Sequence, residues 1–258
     1  QTAVNYNRDV EVFPVLRTIL RRILGGEDVY RSPTDMGVNR AGFGIVDDEA
    51  VRAAAKQEII RRYFRAACEY AMGLADKETV TRTERIMYEV SVRPTDRAVV
   101  LPARQAAEEA RAGGRGHAGV FCGAALELPD GAIVTGKNSP LMHAASSLVL
   151  NAVKRLAEIP DKIHLLPPTI MEAIRRLKTE VLGLRQISLD VEETLIALSI
   201  SAAHNPASQL AVEKLRELRG CDAHMTHIPT PGDEAGLRRL GIHLTSDANF
   251  SSKALFVT

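Results

Sequence analysis

Three short stretches place polar side chains where a helix is about to begin. In Thr135-Gly136-Lys137-Asn138-Ser139-Pro140, followed by His143-Ala144-Ala145, a cation, an amide, a hydroxyl and an imidazole precede an apolar helical pattern. In Thr230-Pro231-Gly232-Asp233-Glu234 a hydroxyl cap stands before proline at the first helical position and an acid at the third. The same logic recurs in Ser32-Pro33-Thr34-Asp35-Met36-Gly37-Val38-Asn39. The unpaired N–H groups and macrodipole of a helix start favour an anion or a phosphate. Lys137, Asn138, Ser139, His143, Thr230, Gly232 and Asp233 are therefore candidate ligand-binding residues. Asp35 and Asn39 are further candidates for a ligand held between domains. The competing account is local: capping explains Asp35 and Thr230, and a histidine that satisfies nearby polar groups explains His143.

Other chemistries are weaker. His224 and His227 suggest a metal pair, but residues three apart on a strand face opposite sides of the sheet. Ser201, His204 and Asp190 lack the Gly-x-Ser-x-Gly elbow of a serine hydrolase. No Gly-x-x-x-x-Gly-Lys-Ser/Thr loop occurs, and no Gly-x-Gly-x-x-Gly follows a strand. Cys68, Cys122 and Cys221 are odd in number, far apart and without a Cys-x-x-Cys, which fits buried thiols in a reducing cytoplasm. No metal and no cofactor is expected from these residues alone.

Composition narrows the function classes. Over 258 residues, 33 Lys and Arg balance 32 Asp and Glu, so no electrostatic case exists for nucleic acid or an acidic membrane. No apolar run approaches the roughly 18 residues that span a bilayer. Aromatic residues are only 4% with no Trp, which leaves little for base stacking. The chain opens on Gln1 inside a polar stretch and reads as a piece of something longer.

The elements that must hold these residues divide near residue 95. Residues 1–95 read as a helical subdomain, including a long helix from Asp47 to Leu74 with one broad apolar face and another from Lys77 to Val90. A helical layer of this kind packs on another domain or on a second copy, so a homo-oligomer is expected through it. Residues 96–258 read as an α/β domain. A short strand at Val99–Leu101 leads to a helix at 103–112. Apolar runs at 119–128 and 132–136 flank Pro129-Asp130-Gly131 as a hairpin. A helix at 140–157, a strand at Lys162–Leu166 and a helix opening at Pro167-Pro168 follow. Helices at 190–203 and 206–218, a strand at 223–228, a helix at 233–240 and a strand at 242–244 complete the domain.

A hairpin, a helix with His143-Ala144-Ala145 in its first turn, a strand, then Pro167-Pro168-Thr169-Ile170-Met171 resembles the cytidine-deaminase fold over roughly residues 96–185. In that fold a His or Cys and two Cys hold zinc, and a Glu two residues after the first ligand shuttles the proton. The resemblance places His143 on the first ligand, Ala145 on the Glu, and Pro168 and Met171 on the two Cys. Proline has no donor atom and a thioether is a poor zinc ligand, so the expected domain is a layered deaminase-like scaffold without its zinc site. The formyltransferase domain of purine synthesis shows that this fold also serves enzymes without zinc.

Longer motifs carry a second resemblance. Thr2-Ala-Val-Asn-Tyr-Asn-Arg-Asp-Val-Glu-Val-Phe-Pro-Val-Leu16, Ser32-Pro-Thr-Asp-Met-Gly-Val-Asn39, Lys56-Gln-Glu-Ile-Ile-Arg-Arg-Tyr63, Val120-Phe-Cys-Gly-Ala-Ala125 and Thr226-His-Ile-Pro-Thr-Pro-Gly-Asp-Glu234 closely resemble an uncharacterised bacterial family. It is the domain of unknown function 1846, also called uncharacterised protein family 0371. The resemblance implies a protein about twice this length, whose N-terminal half bears a Gly-rich, phosphate-loop-like segment. It thereby implies that this chain is a C-terminal half whose partner is that N-terminal half, with ATP or another nucleotide as cofactor there. It brings no established reaction. The leading expectation is an enzyme half that binds a nucleotide or phosphorylated metabolite at helix N-termini without zinc. The alternative is a non-catalytic oligomerisation module built on a degenerate deaminase scaffold.

Overall fold

The computed structural model describes Ile19, Arg22, Ile23 and residues 48–114, 116–117, 119–184 and 186–251. Asp35 and Asn39 lie outside them. The chain separates into two compact units: residues 1–66 with 75–94, and residues 67–74 with 95–258. In the first unit the described residues form most of α1, Asp48–Ala71, and all of α2, Lys77–Glu89. The start of α2 follows from Asp76, whose carboxylate accepts from the N–H and the hydroxyl of Thr79 at 2.7 and 2.8 Å. Ile86 and Met87 are its buried residues.

The second unit is built on a four-stranded sheet of order β2-β1-β3-β4, comprising β1 Gly123–Glu127, β2 Ile133–Lys137, β3 Asp222–Met225 and β4 His243–Ser246. β1 runs antiparallel to β2 and to β3, whereas β3 and β4 are parallel. The hairpin turns at Pro129-Asp130-Gly131, where Gly131 takes φ 81°, a conformation that favours glycine. Besides the end of α1, the described residues of this unit form six α-helices: α3 Val100–Ala112, α4 Ala144–Leu156, α5 Pro168–Arg176, α6 Val191–Ala202, α7 Pro206–Lys214 and α8 Pro231–Arg239. Ala125 packs with Val99 and Ala103 on the α3 face, while Ala124 and Leu126 join the larger core with α4, α6 and α8. Both faces of β1 are thus covered, which is why Gly123 to Leu126 are all buried.

Two glycines set these layers. A Cβ on Gly123 would lie 2.2 Å from Ala103 O, and one on Gly136 would lie 2.4 Å from Ala144 O and Leu148 N. Because neighbouring residues of a strand point to opposite faces, the two glycines admit α3 on one side and α4 on the other.

Two expected strands do not form. Val99–Leu101 leads into α3, because Val99, Val100, Ala103, Ala106, Ala107 and Ala110 make a buried stripe of helical period. Lys162–Leu166 forms no strand. Pro160 and Pro167 bracket it, and the edge of β1 it would have paired with is taken by β3. The placement of Pro168 and Met171 opposite His143 falls with that strand. α5 does not follow the strand beside β1; α8 does. Beyond Arg176 the α5 helix continues as a π-turn over Leu177–Val181.

Candidate functional site

Three helices of the second unit begin side by side. His143 is the N-cap residue of α4, with its backbone N–H donating to Leu189 O at 2.9 Å. Ser146 Oγ donates to the same carbonyl at 2.9 Å, so the first turn of α4 fixes the segment before α6. Asp190 caps α6 through a capping box: its carboxylate accepts from Glu193 N at 2.9 Å, and Glu193 Oε2 accepts from Asp190 N at 3.1 Å. Thr230 caps α8, where Pro231 fits the first helical position.

Asp233 joins the three starts. It is 2% exposed, and its Oδ2 lies 2.7 Å from His143 Nδ1. The same oxygen accepts from Thr230 Oγ1 at 2.8 Å, and Oδ1 accepts from Val191 N at 3.1 Å. A carboxylate so held has one rotamer, and it fixes the imidazole ring in turn. Burial pushes the His143 imidazole down, but the hydrogen bond and charge of Asp233, aided by Asp190 and opposed by Lys178, raise it above its ordinary value. Asp190 is also raised, by burial first and then by the charges of Glu193 and Asp233.

His143 Nε2 points away from Asp233 to the side-chain amide of Gln186, 3.1 Å distant. An amide serves either protonation state of that nitrogen: its NH2 donates to a neutral ring, and after a half-turn its carbonyl accepts from an imidazolium. Beside them opens a cavity of about 520 Å³ lined by His143, Lys178, Gln186, Asp190, Glu193, Gly232 and their neighbours. Lys178 comes from the π-turn and is buried; its Nζ donates to Glu193 Oε2 at 2.8 Å and to Ser188 O at 2.9 Å. π-turns inside helices recur at functional sites. Gly232 lets the Asp190 carboxylate approach, since a Cβ there would sit 2.0 Å from Asp190 Oδ2 and displace that side chain.

Comparison with known proteins places the chain. Residues 95–256 match the family model described as domain of unknown function DUF1846, C-terminal, and residues 1–91 match domain of unknown function DUF1846, N-terminal. The chain belongs to the DUF1846 family. Among its relatives are UPF0371 proteins of Clostridium botulinum strains Alaska E43 and Eklund 17B. Each is 52% identical over 257 residues, which is 99% of this chain and 51% of the relative. The DUF1846 chain thus spans about half the length of the curated relatives it matches.

Of the residues singled out in the DUF1846 sequence, the structure brings together His143, Thr230, Gly232 and Asp233. It does not bring Lys137, Asn138 and Ser139 to them. Lys137 Nζ pairs with Glu109 Oε2 at 2.7 Å. The Asn138 amide clamps the backbone, accepting from Cys122 N at 2.8 Å and donating to Val120 O at 3.0 Å. Ser139 Oγ accepts from Leu141 N and Met142 N, closing its own turn. The helix starts are not open anion cradles either, because Asp233 and Asp190 already meet their positive ends.

Sequence reasoning missed Lys178, Gln186, Ser188, Asp190 and Glu193 as cleft residues. Asp190-x-x-Glu193 ahead of an apolar run is a legible capping box that could have marked the third helix start. Lys178 carries no such signal. Ser201 Oγ donates into its own helix, to Ala197 O at 2.8 Å. His224 is fully buried, with Nδ1 2.9 Å from Thr245 Oγ1 and Nε2 3.5 Å from Asp247 Oδ1. His227 Nδ1 meets Thr226 Oγ1 at 2.9 Å, so the two imidazoles have separate partners. Among the described residues no group of three or more His, Cys, Asp or Glu is arranged to hold a metal. Cys68, Cys122 and Cys221 are buried free thiols, and burial pushes Cys122 up to about 12. Among the described residues no helix is long and apolar enough to cross a membrane.

Proposed function

We propose that this chain carries an acid–base site that binds a small phosphorylated metabolite or a nucleotide without zinc, with His143 as the proton carrier. One observation carries the reading: a buried carboxylate holds Nδ1 of His143, whose ring lines a cavity and whose Nε2 meets the neutral amide of Gln186. A carboxylate so placed fixes the tautomer and supports the imidazolium, the role of the acid in a Ser-His-Asp arrangement. Asp233 raises the imidazole above its ordinary value, which favours the imidazolium whose Nε2 proton a phosphate oxygen or a leaving group would take. Gly232, in the first turn of α8, lines the same cavity with no side chain to obstruct it. Asp190, raised by burial in the same cleft, is a second titratable group facing the cavity.

The sheet order supports a deaminase-like layering for this domain. β1 lies inside, flanked by β2 and β3, and α4 and α8 start beside each other. In that arrangement Asp233, not Pro168 or Met171, stands opposite His143. On that reading the His143–Asp233 pair would correspond to the metal position of a deaminase.

The experiment is calorimetric titration of the full-length protein with nucleoside mono-, di- and triphosphates and inorganic phosphate. The expected result is binding by at least one phosphorylated compound that weakens roughly tenfold or more in His143→Gln. Equal binding by wild type and His143→Gln removes His143 from the site and overturns the reading.

A further inference from the structure

A second cavity, also of about 520 Å³, opens where the edge strand β2, helix α4 and the segment 164–171 meet. That volume is in the usual range of small-molecule sites, roughly 300–1,000 Å³. Its character differs from that of the His143 cleft. Asp190 and Glu193 line the first cavity, whereas no Asp or Glu lines the second. Its ionisable lining is Lys137, Lys154 and His164. Lys154 Nζ donates to a neutral acceptor, Asp161 O at 2.9 Å, and among the described residues no carboxylate pairs with it. Lys137 lines it from β2, but its Nζ is turned to Glu109 on the α3 side of the sheet, in an ion pair whose side chains are 34% and 53% exposed. Solvent-exposed pairs of this kind are weak. Part of its wall is apolar, from Leu150, Leu166 and Met171.

We infer that this cavity binds a small amphipathic anion, a carboxylate or phosphate head on an apolar body. The head meets Lys154 and His164, and the body lies along Leu150, Leu166 and Met171. A cation finds no acid there, and an anion without an apolar body leaves that wall wet. The inference is independent of the acid–base reading, because the two cavities share no lining residue.

Calorimetry on the full-length protein with octyl phosphate, octanoate, octylamine and inorganic phosphate tests it. At least one of the two eight-carbon anions is expected to bind roughly tenfold or more tightly than octylamine and inorganic phosphate. Which of them binds better identifies the head group. Lys154→Gln, which changes a half-buried surface side chain, should weaken that binding roughly tenfold with an unchanged melting temperature. His143→Gln should leave it unaltered. Equal binding of octylamine, no binding of either anion, or binding indifferent to Lys154→Gln overturns the inference.

Discussion

Asp233 Oδ2 and His143 Nδ1 lie 2.7 Å apart although 90 residues separate them in the chain. Everything around the pair serves to hold that distance. Gly136 lets α4 close on β2, the capping box of Asp190 and Glu193 sets the start of α6, and Thr230 caps α8 while donating to the same carboxylate oxygen. The pair is therefore a product of tertiary packing, and each supporting contact is open to a separate perturbation.

Asp233→Ala removes the acceptor of three hydrogen bonds and leaves Val191 N and the His143 ring without their buried partner. Leaving buried polar groups unsatisfied costs about 1–3 kcal/mol. A urea unfolding curve should show a loss of about that size. A variant as stable as wild type would mean that the carboxylate does not organise the three helix starts.

The pH dependence has two opposing parts. His143 is raised in the folded state, so its stabilisation is complete below the ordinary histidine value of about 6.5 and is lost as pH rises through the raised value. His224 is lowered, chiefly by burial, so its penalty appears as pH falls below about 6.5, where the unfolded chain takes up the proton first. Asp247 is held down at about 2 despite burial by its bonds to His224 and Arg104, so its contribution disappears between about 4 and about 2. The stability difference between wild type and His143→Gln should therefore shrink on going from pH 6 to pH 9. A difference that grows over that interval contradicts the assignment.

Two glycine substitutions separate scaffold from cleft. Gly136→Ala drives a Cβ into the α4 backbone and should cost about 1–3 kcal/mol in global unfolding. Gly232→Ala meets the Asp190 carboxylate instead of backbone. It should cost about 1 kcal/mol through the weakened cap of α6, and should disturb ligand binding more than stability. Equal effects of both changes would argue against that division.

Arg97 tests the base of the sheet. It is 1% exposed, pairs with Asp222 at 2.9 Å, and donates to Ala223 O, His243 O and Thr245 Oγ1. Asp222 is 29% exposed, so Arg97→Ala leaves its carboxylate to solvent but strips His243 O and Thr245 Oγ1 of a buried donor, which costs about 1–3 kcal/mol and should lower the urea midpoint. A loss below about 1 kcal/mol would show that solvent replaces the guanidinium there.

Local chemistry made much of the domain legible. The Pro129-Asp130-Gly131 hairpin, the cap at Thr230-Pro231 and the helical periods of α3, α4 and α6 each announce themselves within a few residues. What failed depended on distant partners. Val99 and Val100 favour a strand by type, but a stripe of alanines draws them into a helix against Ala125. Leu165 and Leu166 are buried as a strand would be, yet β3, some sixty residues on, takes the edge of β1. His143, Thr230, Gly232 and Asp233 were visible because caps are local signals. Lys178 and Gln186 were not, because only the fold brings the π-turn and the segment after it to the imidazole.

The most direct test of the acid–base pair is nitrogen-detected NMR titration of the histidine rings in wild type and Asp233→Asn. For His143 a raised pKa and a proton on Nδ1 in the neutral form are predicted in wild type, with the pKa falling in Asp233→Asn. A His143 resonance that titrates at or below about 6.5 in wild type, or that is indifferent to Asp233→Asn, would contradict the account.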